Sequence, residues 1–206
     1  MIHKTPFVIV DVETTGLEPR LDSIIEVAGV KVLDGKIVDE FDTLLNPGVF
    51  VPQETTDITG ITTEMLEGAP QFQDVADDYL KFIGDGSDGA IFVAHNVEFD
   101  REFVNVHLMR AERDKMPHPY LCTFRLAKRV HPNLKRYALG ELAKIFEIEL
   151  PQAHRAIHDA RATAELFGKF MRVLQDGGLR DIKDIPHIQN LPSEEGGEFD
   201  GQGSLF

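Results

Sequence analysis

Three β-rich runs open the chain, and the second and third are joined by Asp34-Gly35, among the strongest two-residue hairpin signals. Phe7 to Val12 is apolar and β-branched, as a buried strand requires, and Ile24 to Leu33 and Ile37 to Leu45 follow it. Strands connected so tightly predict an antiparallel meander. Beyond them the pattern alternates. Helical spacing over Val75 to Ile83 precedes a short apolar strand at Ala90 to Ala94. Helical spacing over Glu98 to Met109 precedes a strand at Tyr120 to Thr123, and helices are predicted over Leu139 to Phe146 and Ala156 to Val173. The prediction is an α/β fold: a mixed sheet, with an antiparallel three-strand meander plus parallel strands, flanked by helices.

The 206 residues suffice for one domain, expected over 1–174. Asp176-Gly177-Gly178 stops the last helix. Residues 175–206 are expected to be mostly disordered, being rich in Gly, Glu, Asp and Pro near their end until Leu205 and Phe206. No apolar run is long enough to span a bilayer, no secretory signal is evident, and the single Cys122 cannot form an internal disulfide; a cytoplasmic protein is the expectation. The net charge of −14 argues against a passive nucleic-acid binder, since phosphates are held by Lys and Arg. It argues less against a protein whose acids hold divalent cations, because a bound metal reverses the local charge.

Three acidic segments fit that second case. Asp11 and Glu13 stand two apart at the end of the first strand and so project from one face. Asp100 falls in the first turn of a helix entered from a buried strand, where the helix dipole alone would also favour an acid. Asp159 lies one turn into the last long helix, with His154 at the loop-to-helix junction before it. Hard oxygen ligands of this kind suit two Mg²⁺ or Mn²⁺ ions, and a neutral histidine can take a proton from water. The alternative for the first pair is a solvated strand end. His154 and His158, four apart, could instead suit Zn²⁺, but no third soft ligand stands near, and His158 is taken as structural.

Taken in order, Asp11-x-Glu13-Thr14-Thr15-Gly16, His95-Asn96-x-x-Phe99-Asp100 and His154-x-Ala156-x-x-Asp159 resemble the three exonuclease motifs of the DEDDh family, and most of all its epsilon-type (DnaQ-like) proofreading branch. The resemblance runs from about Phe7 to Val173. It implies a ribonuclease-H-like fold, metal ligation by Asp11, Glu13, Asp100 and Asp159, and His154 as general base. It also implies 3′→5′ hydrolysis of DNA ends, single-stranded or frayed, with release of nucleoside monophosphates in replication proofreading or repair, beside a replicative polymerase subunit. An RNA-directed exonuclease of the same family is the first alternative; a catalytically idle adaptor is the second, and four convergent carboxylates argue against it.

The same resemblance assigns substrate contacts. Thr14 and Thr15 would present hydroxyls or backbone N–H groups to the terminal nucleotide, beside Asn96, while Leu17 and Phe99 pack on its base and sugar. Glu54 would bond the 3′-hydroxyl from a loop that continues through Ile58 and Thr59, a plain Ser/Thr-rich turn being the alternative. Lys128, Arg129, His131, Lys135 and Arg136 form the clear basic cluster, suited to guiding a phosphate backbone. Gln202-Gly203-Ser204-Leu205-Phe206 resembles the short peptides that dock on a sliding clamp: a polar anchor, then an aliphatic and an aromatic side chain.

Overall fold

The computed structural model describes residues 4–185, 188 and 189. Its centre is a five-stranded sheet in the order β3-β2-β1-β4-β5, built from β1 (Phe7–Thr14), β2 (Ile24–Leu33), β3 (Lys36–Leu44), β4 (Ile91–Ala94) and β5 (Tyr120–Cys122). The first three strands are the antiparallel meander, and β4 and β5 join parallel to β1. The mixed sheet predicted above is the sheet observed. At the β2–β3 turn both Asp34 and Gly35 take positive φ, 51° and 71°, as a tight hairpin of this hand requires.

Helices cover both faces, and strand alternation decides what each covers. Phe7 and Ile9 of β1, with Ala28 and Val30 of β2, face the long α6 (Ala156–Asp176) and α5 (Leu139–Ile145). Val8, Val10 and Val12 face the opposite way, toward α2 (Phe72–Ile83) and α3 (Val97–Arg110). Helix α2 begins on a capping box in which the Gln71 N–H donates to the Asp74 carboxylate at 2.9 Å.

Two helices arise where none was predicted. The segment read as a loop carrying Glu54, Ile58 and Thr59 is helix α1 (Gln53–Thr59), closed by Gly60 at φ 72°. Its run of Thr, a residue with poor helix propensity, hides it from a periodicity reading. Residues Thr123–Val130 form α4, leaving directly from the end of β5. Past the boundary expected at residue 174, α6 continues to Asp176, and Leu179, Ile182 and Ile185 pack against the same core. Gln189 then pairs with Tyr120 at the outer edge of β5. Gln202, Leu205 and Phe206 lie outside the described residues. Among the described residues no helix is long and apolar enough to cross a membrane.

Candidate active site

The parallel strands β1 and β4 end on the same side of the sheet, and the site lies there. β1 outruns β4, pairing with it only through Phe7, Val8 and Ile9. The Val12 N–H, beyond that ladder, donates instead to Oδ1 of Asp100 at 3.2 Å. An α3 carboxylate thus takes the place of a missing strand neighbour and is drawn against the end of β1. Asp11 and Glu13 share the parity of Phe7 and Ile9, so both project toward α6. There Asp159, in the first turn of α6, accepts the His154 N–H on Oδ2 at 2.9 Å.

The structure therefore gathers the residues that the sequence scattered. Donor atoms of Glu13, His154 and Asp159 all lie within 4.8 Å of one another, the one such trio found among the described residues. Asp11 and Asp100 act on the same group electrostatically. Burial, and then the Asp100, Asp159 and Glu13 charges, push the Asp11 carboxyl well above its usual range. Burial, then Asp159 and Glu26, raise Glu13 from 4.5 to about 8. Burial raises Asp100 to about 7 against the opposing pull of its backbone hydrogen bonds, and burial raises Asp159 too. Four carboxylates that resist ionising together form a site short of positive charge, and their hard oxygen donors fit a divalent cation. His158 is not among the trio; its Nδ1–H donates to the Gln152 carbonyl at 3.2 Å.

Sequence reasoning passed over the residues that hold this arrangement. Glu26 on β2 lies directly opposite Glu13 and is fully buried. It forms a bidentate pair with Arg155, whose Nη2 lies 2.7 Å from Oε1 and whose Nε lies 3.0 and 3.2 Å from the two oxygens. Its Oε2 also accepts the Ala156 N–H at 2.8 Å, capping α6 from another strand. His154, immediately before, sits at φ 62°, a left-handed conformation that costs a non-glycine residue about 1–3 kcal/mol. Glu26–Arg155 on one side and the Asp159 carboxylate on the other hold it there. The signal available was a lone acid in the apolar run Ile24-Ile25-Glu26-Val27, which needs a partner if buried.

The expected substrate contacts divide. Leu17 is 79% exposed and Ile58 58% exposed, while Glu54 and Asn96 are exposed too. Phe99 is half-buried against Phe103, with ring centroids 4.8 Å apart. Other hydroxyls are consumed within the fold. Thr14 donates to the Gly16 carbonyl at 2.6 Å. Thr15 donates to Asp22 and accepts the Ser23 N–H, and its own N–H donates to the Ser23 carbonyl. The buried Thr59 donates to the Thr55 carbonyl and accepts the Ile61 N–H, finishing α1. Thr15 and Thr59 thus brace the loops in which they stand. A groove of about 650 Å³ runs between the β2–β3 hairpin and α6, and none of the four carboxylates lines it.

The family model described as Exonuclease matches residues 8–167, a stretch that holds all five of the residues gathered at the end of β1. The chain belongs to this exonuclease family. DNA polymerase III subunit epsilon of Aquifex aeolicus (strain VF5) is 40% identical over 168 residues, covering 82% of this chain and 81% of the relative. The PolC-type DNA polymerase III of Bacillus subtilis (strain 168) is 40% identical over 181 residues, which is 87% of this chain but 12% of that polymerase. Exonuclease X, solved in complex with 5′ overhanging duplex DNA, aligns with a TM-score of 0.68 and 29% identity over 87% of this chain and 96% of that one. Escherichia coli exonuclease I, solved with a dA16 oligonucleotide, shares the fold: TM-score 0.72, 19% identity, 84% of this chain and 42% of that one. Exonucleases of this family depend on divalent metal, and Glu13, His154 and Asp159 form a candidate metal-binding group here.

Two predictions follow from the electrostatics. The folded values of Glu13 and Asp100, about 8 and about 7, lie above their ordinary values of 4.5 and 3.8, so the folded chain binds protons that the unfolded chain has released. Metal-free stability must then fall as pH rises through this window. Buried His107, lowered from 6.5 to about 4, contributes the opposite slope, but only below about pH 6.5. Thermal unfolding in chelator is therefore expected to show a midpoint that drops between about pH 6.5 and 8 and a smaller drop in Asp159→Asn; a rising midpoint would contradict the assignment. Glu26→Ala, which leaves Arg155 and the α6 N-terminus unpaired, should cost about 3–5 kcal/mol in denaturant unfolding, with Glu26→Gln milder. A loss below about 1 kcal/mol would make the pair dispensable.

Proposed function

We propose that the protein is a 3′→5′ exonuclease that hydrolyses the terminal phosphodiester bond of DNA strands and releases nucleoside monophosphates, in replication proofreading or repair. The convergence of Asp11, Glu13, Asp100 and Asp159 with His154, in a chain of the exonuclease family, carries this reading. The four carboxylates would hold two Mg²⁺ or Mn²⁺ ions. Such ions, when bound, acidify water and offset charge on the reacting phosphate. The chain's own part is then definite. The exposed imidazole of His154, held beside Glu13 and Asp159, accepts a proton from the attacking water on a ring nitrogen as the water oxygen bonds to phosphorus and the 3′ oxygen departs. Leu17, Phe99, Asn96 and Glu54 supply the apolar and polar contacts to the last nucleotide.

DNA is favoured over RNA by the relatives, among them an epsilon subunit of DNA polymerase III and an exonuclease solved on duplex DNA. The same kinship supports association with a replicative polymerase in the cytoplasm. Docking of Gln202, Leu205 and Phe206 on a sliding clamp extends the reading from the sequence of the tail. Titrating the cognate clamp with the intact chain and a Leu205→Ala, Phe206→Ala double variant tests it; equal binding by both would remove it.

Matched DNA and RNA oligonucleotides, incubated with Mg²⁺, with Mn²⁺ or with chelator, test the activity. Mononucleotides should appear from DNA 3′ ends with metal and not with chelator. His154→Ala should lower the rate about 10²–10⁴-fold while metal binding persists, and His158→Ala should do far less. Full activity in excess chelator, or a larger loss from His158→Ala, would overturn the mechanism.

A further inference from the structure

Between Lys115 and Gly140 the chain contains no Asp or Glu, although it holds 35 of them among 206 residues. The cations of this stretch are Lys115, Arg125, Lys128, Arg129, Lys135 and Arg136. Elsewhere four arginines are matched, Arg113 with Asp77, Arg155 with Glu26, Arg161 with Glu40 and Arg110 with three main-chain carbonyls, while the exposed Arg20 and Arg172 stand singly on separate elements. Within the stretch, Arg125 pairs with Glu98. By contrast, the side chains of Arg129, Lys135 and Arg136 are exposed and meet no carboxylate among the described residues. In so acidic a chain, a stretch of positive charge without carboxylates raises the local concentration of anions.

These cations are also fixed relative to the reaction centre. Tyr137, next to Arg136, gives its carbonyl to Nε2–H of His95 at 2.8 Å. The other ring nitrogen of His95 meets the Thr123 hydroxyl, 3.0 Å away, at the first residue of α4. His95 directly follows β4 and precedes Asn96 and the helix that carries Asp100. Phe124 lies edge-on to both His95 and Tyr137, and the Lys128 ammonium lies 4.2 Å from the Phe124 ring centroid and 5.7 Å from that of Tyr137. The 131–138 loop is thus braced by the His95–Tyr137 hydrogen bond and the edge-on Phe124–Tyr137 contact onto the strand end that precedes α3 and Asp100.

We propose that Lys135 and Arg136, backed by Arg129, form a track for the phosphate backbone of the strand being digested, on the 5′ side of the scissile bond. This rests on the 3′→5′ exonuclease reading, which leaves the rest of the strand on that side. The ligand is a run of phosphodiesters rather than a base, so the track sets affinity for length and not for sequence. Through His95 its register to the carboxylates is set by the fold.

The test compares two substrates on the full chain with Mn²⁺: a single-stranded 20-mer, and the p-nitrophenyl ester of thymidine 5′-monophosphate, which has no upstream strand. For Lys135→Ala, Arg136→Ala together, the ratio of kcat/KM for the 20-mer to that for the ester should fall about tenfold, chiefly through KM. The slope of log KM against log salt should shrink by about 1.4, since each single-strand phosphate contact contributes about 0.7. Lys135→Glu, Arg136→Glu should lower the ratio further. Lys36→Ala, Lys81→Ala changes the net charge equally on other elements and should leave the ratio within about twofold. An unaltered ratio in the Lys135, Arg136 variants, or the same loss in the control pair, overturns the track while leaving the exonuclease intact. Hydrolysis of neither substrate by the unsubstituted chain removes the exonuclease reading and the track with it.

Discussion

Mutual repulsion among carboxylates brought to one end of β1 is the constraint around which this molecule is arranged. Asp11 and Glu13 come from the strand itself, Asp100 from α3 and Asp159 from α6. Each would ionise readily in water; burial, and then the neighbouring charges, raise all four, Glu13 to about 8 and Asp100 to about 7. A fold gains nothing from such a cluster by itself. The cluster makes sense as one half of a charge balance whose other half is a divalent cation.

Holding the cluster together against that repulsion takes interactions that are fully satisfied. Asp100 is tethered by the Val12 N–H, a group freed only because β1 extends past β4. Asp159 is tethered by the His154 N–H. Beneath them the buried Glu26–Arg155 pair joins β2 to the start of α6 and caps that helix through Ala156. A buried pair of this kind is weak as a source of net stability, because its desolvation offsets much of the attraction. Its value here is geometric: it fixes the backbone at His154, in a conformation that the residue would not choose, where the imidazole meets Glu13 and Asp159.

Much of this was legible in the sequence because it is local. The Asp34-Gly35 turn, the apolar alternation of β1 to β3 and the ordered acidic motifs depend on neighbours a few residues apart, and periodicity records such relations. What escaped depends on distance or on weak propensity. Glu26 meets Arg155 across 129 positions, so the strand run shows only a stray acid. Helix α1 is written largely in Thr and read as a loop, and α4 starts without a capping side chain. The partners of the Thr15 hydroxyl, Asp22 and Ser23, are brought to it by turns whose geometry the sequence does not spell out.

The central claim is that the carboxylates are poised for a cation and yield their protons to it. Calorimetric titration of the metal-free chain with Mn²⁺ at pH 7, repeated in two buffers of different ionisation enthalpy, measures that exchange directly, because the heat difference reports protons released per ion bound. The account predicts net proton release, which shrinks as the pH is raised toward 8.5 and is diminished in Asp11→Asn. Binding with no proton release at pH 7, or identical release from Asp11→Asn, would contradict it.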